Sequence, residues 1–358
     1  MFNKKVKILF SFILFFSSSI FANPFVDVYG TDEETANKII EKFGDDIHQG
    51  SQRVVSLAAE NPSASKPEDL LESKKKIISG IHKIKAFHSI SFSPVYYQDA
   101  RLFTTVNVIE KNDYKKLNFF KRFEQQKNNK VKIKKDKKLD KLLSQWAAYE
   151  EMGHSLFRKG VQLGDPKSCG FYHYLYGFEN AQLKPYKEIF QREVPKNKQK
   201  LIKTLRFDPD EQRRGHAVFL LGHIKEGSEL VKILTPSMLD PSEYVRNNVM
   251  RVLGSTLLIV RQADFDILPV IKMLDSPALT DRNKALFMLI GLSDELKHKR
   301  CIIENADKAL MSALKMKQPN LHDNVYVLLK KISKQNYEER DYLAWQKWLE
   351  QEKVKQTI

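Results

Sequence analysis

Few side chains in this sequence stand at spacings that could do chemistry. His216 and His223 are seven apart and share one helical face, a spacing that more often serves packing than ligation. Cys169 and His173 are four apart, with His154 upstream. A metal needs three or four ligands with a supporting shell, and no third ligand of matching character stands near, so no metal and no cofactor is expected. Cys169 and Cys301 are the two cysteines and lie 132 positions apart, so a disulfide between them stays open. There is no G-x-S-x-G elbow, no G-x-x-x-x-G-K-[ST] loop and no H-E-x-x-H. The chain is expected not to be an enzyme.

A second class of chemistry is repeated instead. Asp208-Pro209 leads to Arg214 and on to Gly222; Asp240-Pro241 leads to Arg246 and Gly254; Asp275-Ser276-Pro277 leads to Arg282 and Gly291. Successive arginines are 32 and 36 residues apart, and each is followed by a glycine 8, 8 or 9 positions later. An Asp at a helix start caps free amides, and a proline just after it suits the first turn. The arginine one to two turns later reaches for the Asp of a neighbouring unit, and the glycine ends the helix. Apolar residues at helical spacing fill the interval, as in Val249, Val252 and Leu253. Second helices follow at Leu230–Leu234 and Ile267–Leu274. A two-helix unit at this period is the signature of an α-solenoid. Tyr342, Trp345, Trp348 and Leu349 mark a final helix that caps the last apolar face. The stretches SEYVRNNVMRVLG (242–254) and FDPDEQRRGHAVFLLGHI (207–224) resemble bacterial HEAT-repeat proteins. The resemblance covers residues 205–358 and implies protein binding along an extended surface.

The start of the chain places the protein. Lys4, Lys5 and Lys7 precede an apolar run, Ile8 to Phe16, then serines and Ala22. That succession predicts a secretory signal over 1–22 with cleavage before Asn23. An uncleaved anchor is the alternative, but the run falls short of the ~20 apolar residues that span a bilayer. An exported, periplasmic location is expected, with secretion as the variant.

Residues 23–113 read strand, helix, helix, strand, strand. Phe25–Tyr29 is the first strand, and Gly30 ends it. Thr31 and Glu34 suggest a capping box for a helix carrying Ile39, Ile40, Phe43 and Ile47. A less regular stretch is expected from His48 to Ser65, then a helix from Pro67. Alternating runs at Ile90–Tyr96 and Leu102–Val108 flank a turn at Gln98-Asp99-Ala100. FVDVYGTDEET, IHKIKAFHSISFSPVYY and ARLFTTVNVIEKND resemble POTRA domains, small periplasmic modules of transporters and assembly factors, with Val106, Val108 and Glu110 at the closing strand. An unrelated α+β module is the other reading. The fold class is therefore mixed, a small α+β module followed by an all-α HEAT-like solenoid.

Charge separates these parts. The chain carries 60 Lys and Arg against 44 Asp and Glu. Residues 115–141 hold twelve basic and three acidic residues, so most of the excess sits in a basic linker (114–141) rather than on a folded face. Lys132, Lys134, Lys135, Lys137 and Lys138 are either solvated spacer charges or point charges for anionic lipid headgroups. Nucleic acid is disfavoured as a partner outside the cytoplasm, and only Phe119, Phe120 and Phe123 interleave the basic residues. Residues 142–204 form a helical, aromatic-rich junction in which several rings bury area. The strand from Ile90 to Tyr97 carries no charged residue, so Phe92 and Tyr96 mark a sheet edge open to an extended partner peptide, unless the linker or a helix covers it. The expected function is an exported scaffold or adaptor that binds envelope proteins, with peripheral binding to anionic envelope surfaces as the alternative.

Overall fold

A computed structural model describes residues 23–60, 67–97, 99–117, 136–161, 163, 172–173, 175–260 and 264–357. The signal-like segment, Lys132, Lys134, Lys135 and Cys169 lie outside the described residues. The architecture is a small mixed sheet with two helices, followed by a large all-helical region.

β1 (Val26–Tyr29), α1 (Glu33–Glu60), α2 (Glu68–Ile84), β2 (Phe87–Tyr96) and β3 (Leu102–Glu110) follow in chain order. The sheet order is β1-β3-β2, with β1 parallel and β2 antiparallel to β3. Two local expectations need correction. The cap of α1 is Asp32, not Thr31: the Thr35 amide donates to Asp32 Oδ1 at 2.8 Å, while the Thr31 hydroxyl donates to Glu110 Oε1 at 2.8 Å. The helix also does not break at His48 but runs on to Glu60. Its later turns stay attached to the sheet, where the Thr104 hydroxyl donates to the buried Ser51 Oγ at 2.8 Å. Gly30 turns the chain from β1 into α1 at φ +103°, where a Cβ would run into the Val108 carbonyl oxygen.

One face of the sheet packs Val26, Val106 and Val108 against Ile39, Ile40, Ile77 and Ile81 of the two helices. The other face is not left to solvent. Tyr29 and Val95 pack against the core of the helical region, and every residue of β3 from Leu102 to Val108 is buried. A strand covered on both faces loses the apolar–polar alternation of a half-exposed one.

A short helix, α3 (Tyr114–Leu117), leaves the sheet. The helical region then comprises α4 (Lys137–Arg158), α5 (Lys184–Phe207), α6 (Glu211–Leu221), α7 (Gly227–Leu234), α8 (Glu243–Val260), α9 (Leu268–Lys272), α10 (Leu279–Leu292), α11 (Leu296–Leu314), α12 (Pro319–Ser333) and α13 (Tyr342–Thr357). The helix α4 begins inside the segment read as linker, because Asp136 caps it by accepting from the Lys138 and Leu139 amides at 3.0 and 3.2 Å. α6, α8, α10 and α12 pack one on the next. A single buried core runs from Leu139 to Leu349. α13 buries Trp345, Trp348 and Leu349 against it and leaves Leu343 and Val354 exposed. No described helix is long and apolar enough to cross a membrane.

Candidate functional site: a ladder of buried arginines and the sheet that ends it

The three arginines of the repeated pattern occupy equivalent places. Each donates from Nη1 to the backbone carbonyl six residues before it: Arg214 to Asp208 (2.8 Å), Arg246 to Asp240 (2.9 Å), Arg282 to Ser276 (2.7 Å). This contact ties the arginine to the start of its own helix. The rest of the guanidinium reaches the following unit. Arg214 grips Asp240 with Nε and Nη2 at 2.9 and 2.8 Å. Arg246 grips Asp281 from Nε at 3.1 and 3.0 Å and from Nη2 at 3.0 Å. Planar forks of this kind fix distance and orientation together.

Asp240 performs two tasks, since it also accepts from the Ser242 amide at 2.8 Å at the head of α8. Asp208 stays within its own unit, accepting from Arg213 Nε at 2.8 Å, and Arg213 in turn reaches Asp140 of α4 at 2.9 Å. Asp275 does not belong to the ladder. The carbonyl register assigns its expected place to Ser276, and Asp275 pairs with Lys115 near the surface at 2.8 Å. Asp281 takes over the acidic role and is held by the Ser276 hydroxyl at 2.6 Å. Burial pushes the Asp281 carboxyl up, and Arg246 opposes that push.

Among the described residues the third arginine has no acid to grip. Its Nη2 donates to Asn107 Oδ1 of β3 at 2.7 Å, and its Nε finds no described partner. The guanidinium lies 3.6 Å from the centroid of the Tyr29 ring, which also receives Lys116 Nζ at 4.2 Å. Burial holds Arg282 down to about 10. The α+β module thus offers Arg282 an amide and a ring where Arg214 and Arg246 have an aspartate. Neighbouring contacts strengthen the seat. Asp27 of β1 accepts from the Lys317 and Gln318 amides at 2.7 Å each, just before α12. The Tyr97 hydroxyl donates to Gln318 Oε1 and accepts from the Asn320 amide at 3.1 Å. Burial raises the Asp27 carboxyl to about 6, against those amides and Lys317. The sequence reading missed Asn107, Tyr29, Asp27 and Asp281. Only the carbonyl register could have found Asp281; the others become visible when the module docks.

β2 lies at the edge of the sheet, as the strand order requires. Tyr96 is 58% exposed, whereas Phe92 is half-buried on the helix side, with Lys74 Nζ 5.8 Å from its ring. Phe92 and Pro94 line a cavity of about 140 Å³ with Ile47, Val54, Leu70 and Ile77. Only Tyr96 of the two is therefore a surface probe. Lys137 and Lys138 are exposed in the first turn of α4. They are not brought near the edge by any described contact.

The aromatic junction is a packed core. Trp146 stacks on Phe219 at 5.0 Å, Tyr149 on Phe178 at 5.0 Å, and Phe190 meets His223 edge-on at 5.2 Å. Burial holds His223 down to about 3, so it is neutral at physiological pH. His216 lies 3.6 Å from Glu150. Among the described residues no group of three or more His, Cys, Asp or Glu could hold a metal ion. Cys301 is a half-buried free thiol. No protein-family model, curated protein or solved structure matches this chain.

Proposed function

We propose that this chain is an exported, non-enzymatic scaffold: a HEAT-like α-solenoid with a POTRA-like module docked at its third buried arginine and at the start of α12. The observation that carries this reading is the repeated arginine contact, the same carbonyl bond six residues back followed by a fork to the next unit. Stacked units joined by such forks build extended surfaces suited to protein partners. The partner belongs to the cell envelope, since the first 22 residues have the order of an export signal. The exposed β2 edge at Tyr96 supplies a second surface, for an extended segment adding to the sheet.

Two measurements test this. N-terminal sequencing of exported protein should begin at Asn23; retention of Met1 would contradict export with cleavage. Affinity capture from an envelope fraction should recover the same protein at low and high salt, and Tyr96→Lys should weaken its recovery if the edge is used. The charge of residues 115–141 supports the alternative of binding to anionic surfaces. Under that alternative, capture is replaced by binding to anionic vesicles, which falls steeply with ionic strength.

A further inference from the structure

The stacked helices hold two cations that are not part of the ladder. Along α8 and α10, Gly254 admits the Phe287 ring, 3.6 Å from where a Cβ would stand, and Gly291 admits Leu258. Both contacts join residues 33 apart in sequence, and the same offset sets Lys284 beside Arg251. Neither side chain forms an ion pair or donates a hydrogen bond among the described residues. Both are half-buried: burial pushes Arg251 down, opposed by Tyr176 and Glu150, and burial together with Arg251 pushes Lys284 down to about 8.

Among the described residues Glu150 is the acid facing this pair: it and Arg251 attract each other, but burial pushes its carboxyl up and it sits 3.6 Å from His216, so one carboxylate faces two cations. His173 shares a hydrogen bond with Ser255 Oγ at 3.2 Å, and Tyr176 is a neutral phenol raised by burial. Two like charges held together in a half-buried place are costly unless an anion joins them. Apolar side chains follow in the same register: Leu258 of α8 and Phe287 of α10 are 48% and 44% exposed.

We propose that this face binds an acidic segment of a protein partner, with a carboxylate seated between Arg251 and Lys284 and apolar side chains against Leu258 and Phe287. The apolar rim favours a peptide over a free phosphate, because a phosphate would leave that rim in water. The proposal rests on the scaffold reading and names the surface it uses.

The test uses the full exported chain and three probes at matched ionic strength: a labelled synthetic peptide of alternating Glu and Phe, its Gln and Phe counterpart, and inorganic phosphate. The Glu peptide should bind, and Arg251→Ala or Lys284→Ala should weaken it about tenfold or more, while Lys137→Ala leaves it unchanged. A second readout is the carbamoylation of Lys284 by cyanate at neutral pH, followed by peptide mapping. Lys284 should react faster than exposed lysines, and the Glu peptide should protect it where the Gln peptide does not. Equal protection by inorganic phosphate would overturn the acidic-segment assignment in favour of a phosphate site. Peptide binding that ignores both substitutions would overturn this face while leaving the scaffold reading standing. That reading falls separately, if the unmodified chain captures no envelope protein.

Discussion

The second and third arginines of the ladder share a backbone contact and differ in everything beyond it. Arg246 meets a carboxylate, Asp281, in a pair where the side chains are 2% and 0% exposed. Arg282 meets an amide, Asn107, and the face of a tyrosine ring. The first arrangement joins like to like and can be repeated. The second joins the helices to the sheet, and the pattern stops there because α12, the next helix stacked on α10, carries no arginine. A buried guanidinium without an acid tolerates its place through hydrogen bonds and a ring face, and its lowered affinity for a proton records the cost. The comparison shows how one residue type, in one local setting, serves first as a link and then as an anchor for a different fold.

The largest expected effect is at the internal link. Arg246→Ala leaves Asp281 buried without its partner and should cost about 3–5 kcal/mol in urea unfolding. Asp240→Ala removes both a cap, worth about 0.5–2 kcal/mol, and the acid gripped by Arg214, so it should lower the midpoint by more than a simple cap loss. A cost no larger than that of an exposed capping residue would break the ladder as a description.

The junction with the sheet should respond to pH. The folded-state value of Asp27, about 6, lies above that of an unfolded aspartate. Its protonated form therefore supports the docked state: the contribution is complete below about 4 and is lost as pH rises through about 6. Its size is of the order of 3 kcal/mol. Asp27→Asn should flatten the stability profile between pH 4 and pH 7. An unchanged slope in Asp27→Asn would remove this residue from the junction's balance.

A smaller change would sharpen the contrast. Asn107→Asp gives Arg282 the acid that Arg246 already has. The new ion pair is offset by loss of the Asn107 Nδ2 donations to Ser93 Oγ at 2.9 Å and to the Thr105 carbonyl at 3.3 Å, so stability should change by no more than about 1 kcal/mol. Asn107→Ala should lower it. If both substitutions destabilise equally, the amide is doing something other than standing in for a carboxylate. The smallest effect belongs to Lys137→Ala, exposed in the first turn of α4, which should lie within about 0.5 kcal/mol of the parent.

Much of the local structure was legible. The alternating run at Ile90–Tyr96, the helical spacing of Ile39, Ile40 and Ile47, and the Asp-Pro starts at 208 and 240 are all short-range patterns, and short-range patterns carry their own physical cause. The third unit was misread by one position, because Asp275 looks like Asp208 and Asp240 in sequence. Position in the fold is set by the carbonyl that receives the arginine, and that carbonyl belongs to Ser276. The less regular stretch expected from His48 to Ser65 is also a local inference. Contact between Ser51 and Thr104 overrides it.

The sequence by itself determined the order of elements, the presence of repeated arginines and the concentration of charge in residues 115–141. It did so because helical period, strand alternation and capping act over a few residues. Only the tertiary structure decided that Asn107 and Tyr29 close the ladder, that Asp27 serves the loop before α12, and that Phe92 is half-covered while Tyr96 is exposed. These outcomes join residues as far as 291 positions apart, or depend on which face of a strand a distant helix covers. No local periodicity encodes them; they follow from the burial of the sheet's polar residues against Arg282 and the residues before α12.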